Sequence, residues 1–411
     1  MKLLKPSLIA LSLIASSSVL ADSVAIKNAT IYTSGDLGVL NNASLVFENG
    51  KITAVNPATI SADTIIDAKG KVVTPGLISA LNEVGLVEVG AVAGSNDGSA
   101  KKASITFDPA PAFNPESTLI PFARKGGITR SVVAPNSWEH TFSGQAFTVL
   151  MNSEFDSVVN TEVAVVASFG AASKDSRATS LNALKEKLAG QQKKLAKAKD
   201  EEEDDKAKDP SDEESLLTAL LEGKKPLVAS ASRASDILQL IKMKKEFGID
   251  LVIAGGKDAA KVKSQLAEAN VPVMIQVVDN LPGNFDSLGA DLNTAGELEQ
   301  AGVKVMLFVR DSHLIYNMRV DAGNAVSYGM SKEGAVKAMT SNVADAFNMN
   351  SGVLAEGYPA DIVIWSGDPL EISSKVDSMW IDGEAVTTKS RQDALRDRYI
   401  SKEDKPRGYI K

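Results

Sequence analysis

The sequence predicts an α/β fold, a central barrel with a small β domain drawn from both ends of the chain, and three observations lead there. Between positions 75 and 351, apolar strand-like runs alternate with helical stretches, as where "KPLVASAS" is followed by "RASDILQLIKMKKEFG" and then "IDLVIAGG". Such alternation implies parallel strands covered on both faces by crossover helices. Both ends instead carry short strands with tight turns: "SLVFENGKITAV" early in the chain, "ADIVIWSGDPL" and "SMWIDGEAV" late. Finally, 411 residues with 44% hydrophobic content can build one large barrel and one smaller domain.

Taken in order, the chain begins with Lys2 and Lys5 before an apolar run, Leu8 to Leu20, and small residues up to Ala21. This is the pattern of a Sec-type signal peptide cleaved after Ala21, so residues 1–21 are expected to be removed and the mature chain to be periplasmic in a Gram-negative source. Residues 22–75 and 352–390 are expected to share one β domain. Within it Asn49-Gly50 supplies the positive φ angles of a two-residue hairpin. Residues 76–351 form the barrel, its strands expected in "GGITRSVVAP", "TEVAVVASFG", "KPLVASAS", "IDLVIAGG", "VPVMIQVV" and "GVKVMLFVRD". A charged insertion near 181–224 interrupts it. Leu181, Leu184, Leu188 and Leu195 stand at roughly helical spacing before the acidic run "DEEEDDKAKDPSDEE", and a capping box from Ser211 to Glu214 opens "SLLTALL" after it. Two surface helices joined by a mobile acidic loop are expected there, and 391–411 is read as a C-terminal tail.

Charge and composition exclude several functions. A net charge of -8 leaves no basic footprint for nucleic acid. With no cysteine there is no disulfide, thiolate metal site or cysteine nucleophile. No Gly-x-Ser-x-Gly elbow is present, and "AGGKDAAK" lacks the spacing of a phosphate loop. Beyond the signal no segment is long and apolar enough to span a bilayer, so no membrane partner is expected after cleavage.

Five blocks, "NGKITAV", "IDAKGKVVTPGLI", "FARKGGITRSVVAP", "AGNAVSYGMSKEGAVKAMTSNVADAF" and "GVLAEGYPADIVIWSGDPLEISSKVDSMWIDGEAV", resemble the imidazolonepropionase-like branch of the amidohydrolase superfamily, in the same order and over nearly the whole mature chain. The resemblance implies a (β/α)8 TIM-like barrel with its site at the C-terminal ends of the strands, plus a small β-sandwich domain. It also implies hydrolysis of non-peptide C–N bonds by a metal-activated water. The ligands would be a His-x-His pair after strand one, a lysine or glutamate in mid-barrel, two further histidines, and an aspartate after strand eight that also moves the proton.

Most of that set is missing. At the first pair the chain has Leu81, Asn82 and Glu83; the later histidines fall at Ser230 and Gly255; no lysine or acidic residue stands between Val163 and Ser173. Only Asp311 matches, and it is the one candidate catalytic residue. The chain holds two histidines, His140 and His313, too few for a four-histidine site. A rearranged zinc site from Glu83, Asp311 and His313 is chemically conceivable. The opposing expectation is that His313 packs in a loop, that Asp311 pairs with Arg310 or caps a helix, that Glu83 is a solvated remnant, and that His140 makes a backbone hydrogen bond.

Three functions remain open. The first is a non-catalytic partner or binding protein with no cofactor, joined to an active amidohydrolase relative or to a second copy of itself. The second is a C–N hydrolase of cyclic amides or related small molecules that uses Asp311 as base, with zinc or another divalent metal in a rearranged site. The third is a periplasmic protein that binds a small molecule in the barrel mouth.

Overall fold

The computed structural model describes residues 23–136, 140–170, 176–200 and 209–400. The signal peptide expected at 1–21, residues 201–208 of the expected acidic loop and residues 401–411 of the expected tail lie outside the described residues. No helix among the described residues is long and apolar enough to cross a membrane.

The first sheet joins the two ends of the chain. Strands β1 (Val24–Tyr32), β2 (Val39–Glu48), β3 (Lys51–Val55), β4 (Thr64–Asp67) and β5 (Val72–Pro75) come from the N-terminal side. Three late strands, at Ile362–Trp365, Val376–Ile381 and Glu384–Ala385, complete it. The seam is antiparallel, with Ile362 opposite Pro75 and Trp365 opposite Val72. Asn49 and Gly50, at φ 52° and 76°, make the expected tight turn between β2 and β3. Phe47 on β2 and Trp380 on the second late strand stand four places apart in the sheet order, about 19 Å in a flat sheet. Their ring centroids are nevertheless 5.7 Å apart, edge to face. The sheet therefore folds over on itself as a sandwich, around Ile26, Leu45, Phe47, Ile52, Ile362 and Ile364.

The second sheet is the barrel. Its strands are β6 (Leu77–Asn82), β7 (Ile128–Val133), β8 (Phe142–Leu150), β9 (Val158–Ser168), β10 (Leu227–Ala231), β11 (Leu251–Gly255), β12 (Val273–Ile275) and β13 (Val305–Leu307), each bonded to the next. The late strands of the first sheet follow as β14 (Ile362–Trp365), β15 (Val376–Ile381) and β16 (Glu384–Ala385). Across the gap between β13 and β6, the N–H of Leu307 donates to Ala338 and the N–H of Ile78 to Met339, which nearly closes the ring.

The barrel departs from the sequence expectation in one strand. β8 was not among the predicted strands, and it runs antiparallel between β7 and β9. A parallel strand needs a crossover of a dozen or more residues, whereas fewer than ten separate β7 from β8 and β8 from β9. The chain can only fold back there. Elsewhere the pairing is parallel as expected.

Period-two alternation sorts the barrel residues into two cores. Val228, Val252, Met274, Met306 and Phe308 fill the interior with Ile78, Ala80 and Leu81. Their neighbours Leu227, Ala229, Leu251, Ile253, Val273, Ile275 and Leu307 face the surrounding helices. Val343, Ala344 and Phe347, in and just after the short helix Ser341–Ala346, join the interior cluster.

The insertion folds as two helices, α1 (Arg177–Asp200) and α2 (Asp212–Leu221). Ser211 caps α2, and Glu214 completes the box. Leu184 and Leu188 of α1 and Leu216, Leu217 and Leu220 of α2 are buried, while Leu181 and Leu195 are only half-buried. Gln191 bonds the Thr218 hydroxyl between the helices at 2.9 Å.

One buried ion cluster ties barrel to β domain. Arg130 of β7 donates to Asp361, just before β14, and to Asp382, in the β15–β16 turn, each at 2.5 Å. The other oxygen of Asp361 accepts the N–H of Asp382 at 2.9 Å. Both aspartates belong to the C-terminal block that carries the family resemblance.

Candidate functional site

A cavity of about 660 Å³ opens at the C-terminal ends of the barrel strands. Its lining includes Glu83 after β6, Asn136 after β7, Phe169 after β9, Ser230 of β10, Gly255 of β11, Gln276 after β12 and Arg310, Asp311 and His313 after β13. These ends converge because the parallel strands carry the loops that follow them to the same face, whereas antiparallel β8 starts at that face and ends at the other. The alternation continues into the cavity. Ser230 follows interior Val228, Gln276 follows Met274, and Arg310 follows Met306 and Phe308, each two residues further on.

The strand-one position keeps an unusual backbone. Leu81 has φ +54° and sits at a bulge where the β6–β7 register shifts between Ala80 and Asn82. A left-handed backbone at leucine is uncommon and costs about 1–2 kcal/mol. The bulge re-aims the side chain, which is 7% exposed and packs with Ile78, Ala80 and Val132. Asn82 is buried: its amide donates to Ser79 and Ser131 at 3.2 and 3.1 Å, and its oxygen accepts the N–H of Val84.

Around the cavity floor a polar group links three strand ends. The Glu83 N–H donates to the Ser312 hydroxyl at 3.0 Å, the Asn136 amide donates to Glu83 at 3.2 Å, and Arg310 donates to the Asn136 oxygen at 3.5 Å. Burial pushes the Glu83 carboxyl above its ordinary range, against the pull of Asn136 and Arg310, while Asp311 adds to the rise. Burial likewise pulls the Arg310 guanidinium down, with Glu83 opposing. Desolvation thus outweighs the attraction between the two.

The remaining sequence candidates do not converge. Asp311 is exposed, and its carboxylate accepts the N–H of His313 at 2.9 Å. It closes its own turn, a role foreseen neither as metal ligand nor as helix cap. His313 is exposed. His140 bonds the Lys101 carbonyl at 3.1 Å, the backbone bond the sequence suggested. Arg310, Asn136, Lys257, Gln276, Phe169 and Phe308, all lining the cavity, were missed as site residues. Alternation along Met306, Phe308 and Arg310 was the available signal for the arginine.

A nearly closed eight-stranded barrel, a pocket at its strand ends and a companion sheet from both chain ends define an amidohydrolase-type architecture. Residues 166–388 match the Amidohydrolase family, and the chain belongs to it. An amidohydrolase from Thermotoga maritima MSB8 is 25% identical over 88% of this chain and 99% of its own, with a TM-score of 0.79. The ochratoxinase of A. niger shares the fold at 16% identity and a TM-score of 0.54, over 89% of this chain and 95% of its own. A 5'-deoxyadenosine deaminase of Methanosarcina acetivorans is 52% identical over 56 residues, so the chain spans only 13% of the length of that curated relative.

The residues present do not fit the metal that the family resemblance implies. Leu81 and Gly255 offer no donor side chain, Asn82 is committed to buried serines, and Ser230 is a neutral hydroxyl. Among the described residues no three His, Cys, Asp or Glu side chains are placed to hold an ion. The set of Glu83, Asp311 and His313 is therefore not assembled by this fold.

A titrating group anchors the loop beside the cavity. Asp321, on the helix Met318–Ser327, is 8% exposed and bonds the N–H groups of Val278 and Val277 just past β12. Burial, then the charge of Asp279, pushes its carboxyl up to about 6. The folded pKa lies above the unfolded one near 4. Its stabilisation is therefore fully present below about pH 4 and lost as the pH rises through about 6. Asp321→Asn is expected to raise stability at pH 7.5 by about 2 kcal/mol and to leave it little changed at pH 4. Urea unfolding at both pH values checks this; an equal effect at both would sink the assignment.

Proposed function

We propose that this chain is a non-catalytic, small-molecule-binding member of the amidohydrolase family that has given up metal-assisted hydrolysis. One observation supports the reading above others: an intact cavity persists at the barrel mouth while Leu81, Ser230 and Gly255 occupy the positions where the family resemblance calls for histidine. A proton shuttle has no work without an activated water, so Asp311→Asn is expected to leave ligand binding and fold intact.

The test is metal analysis of untagged protein from its native compartment, joined to a C–N hydrolysis screen before and after chelation. Well under one metal ion per chain and no chelator-sensitive turnover are expected. Near-stoichiometric metal, lost together with hydrolysis when Glu83, Asp311 or His313 is replaced, would overturn the reading in favour of a rearranged hydrolase.

The proposal includes export. Lys2, Lys5 and the apolar run from Leu8 to Leu20 suit a Sec signal. N-terminal sequencing of the periplasmic fraction should begin at Asp22. Recovery in the cytoplasm with Met1 retained would refute it.

A further inference from the structure

The connection after β12 runs for 18 residues between Ile275 and the helix Thr294–Gln300 with no helix or strand of its own, and loops of that length in a compact domain are usually functional. Its two stems are fixed. Lys257 donates to the Asp279 carbonyl and the Asn280 amide to the Asp291 carbonyl, both at 2.7 Å, and the Gly289 N–H donates to Asp258 at 2.9 Å. Between the stems, residues 281–288 form a tip that closes on itself, the Ser287 hydroxyl accepting the N–H groups of Gly283 and Asn284 at 3.1 Å. Among the described residues, the tip bonds the rest of the protein through one side chain. Asp286 is held by Arg177, the first residue of α1, and by Arg233 at 2.7 Å. Both arginines keep partial contact with solvent, so this hold is of the kind that water and salt weaken. Asp236 takes another nitrogen of Arg177 at 3.1 Å, which leaves that arginine paired if Asp286 departs.

The tip is apolar where it meets water. Leu281, Phe285 and Leu288 are 50%, 85% and 66% exposed, a heavy load for so short a stretch. Asn284 and Asp286, on either side of Phe285, line the cavity. On neighbouring sides of the mouth the loops after β6 and β13 carry exposed apolar groups of their own, Val89 beside lining residue Gly90 and Leu314 beside lining residue His313. Inward movement of the tip buries these side chains against one another or against a bound molecule.

We propose that residues 281–288 are a lid over the barrel-mouth cavity, held open by the latch of Asp286 on Arg177 and Arg233, and that on release of the latch the lid closes and brings Phe285 to Val89. The assignment rests on the ligand-binding reading above. It also gives the charged insertion a place at the cavity, because the first residue of α1 is half of the latch. Closure of this kind shields a bound molecule from water and slows its escape.

The chain has no cysteine, so an introduced pair supplies its only thiols. In the mature full chain, Val89→Cys with Phe285→Cys, oxidised with copper phenanthroline, reads closure as disulfide formation, which needs the two Cα atoms within about 7 Å. Adding Asp286→Asn is expected to speed crosslinking at least about tenfold. Arg233→Gln, which removes the other half of the latch, should speed it too. Raising the salt from about 0.1 M to about 1 M should speed the latched pair and leave the Asp286→Asn pair unchanged. The urea midpoint of each variant should stay with that of the parent, which marks the change as local. Equal crosslinking rates with and without Asp286, no crosslink in any variant, or a crosslink gained only with a fallen midpoint would each overturn the lid. Neither metal nor turnover enters this readout, so those results leave the non-catalytic reading standing. Chelator-sensitive hydrolysis by a chain whose latch behaves as expected would sink that reading and keep the lid.

Discussion

Arg130→Met is expected to remove about 3–5 kcal/mol of stability, read as a large fall in the urea midpoint. The reason is asymmetric. Arg130 and Asp361 are both buried, with side chains 8% and 3% exposed, and a carboxylate left in that position without its partner has neither water nor counter-charge. Asp382 is 45% exposed and can recover solvent, so its share of the loss is small. The substitution also frees the β15–β16 turn, because Asp361 holds the Asp382 N–H with its second oxygen. A double replacement, Arg130→Met with Asp361→Leu, should recover part of the loss by removing the orphaned charge. If the single variant unfolds within about 1 kcal/mol of the parent, the cluster is no clamp. The cavity lies at the opposite side of the barrel from this cluster, so metal content and ligand binding should be unaffected at temperatures where the variant is folded.

The fold was legible where one physical signal dominated. Apolar runs such as those at 227–231 and 251–255 are buried on both faces in the barrel wall, and periodicity suffices to find them. The composite sheet was legible from turn chemistry, as at Asn49-Gly50. β8 was not, because "FSGQAFTVL" mixes small and polar residues that are buried only through antiparallel pairing with β7 and β9. Its direction follows from the shortness of its connections, which becomes visible once the strand ends are known. At the site, vacancies were easier to read than occupants. Leu81, Ser230 and Gly255 could be recognised as non-ligands from residue type alone. Arg310 and Asn136 become a group only when the ends of β7 and β13 meet across the barrel, 174 residues apart in sequence. Asp311 illustrates the converse: its residue type fits the family, yet its carboxylate is spent on the next turn of its own loop.

Trp365→Ala should be the other large loss, about 3–5 kcal/mol for a fully buried tryptophan. β14 has two working faces. Ile362 and Ile364 enter the core of the composite sheet, while Val363 and Trp365 enter the core between barrel and helices. Trp365 has no exposed surface and donates its indole N–H to the Thr74 hydroxyl of β5 at 2.9 Å. The Arg319 guanidinium lies 5.6 Å from the ring, and it donates to the carbonyls of Pro369, Glu371 and Ser374, at 3.0, 2.6 and 2.8 Å. On another side Gly127, at φ +81°, has no room for a side chain: a Cβ there would stand 2.4 Å from the indole. Truncation therefore opens a cavity and removes the ring beside Arg319. Trp365→Phe retains most of the volume but drops the Thr74 bond, so it should lose about 1–2 kcal/mol. Gly127→Ala should be damaging by the reverse route, overpacking against the same ring. Urea midpoints for the three variants check the order, alanine at 365 worst and phenylalanine mildest. Equal midpoints for Trp365→Ala and Trp365→Phe would show that the indole fills no essential space between barrel and sheet.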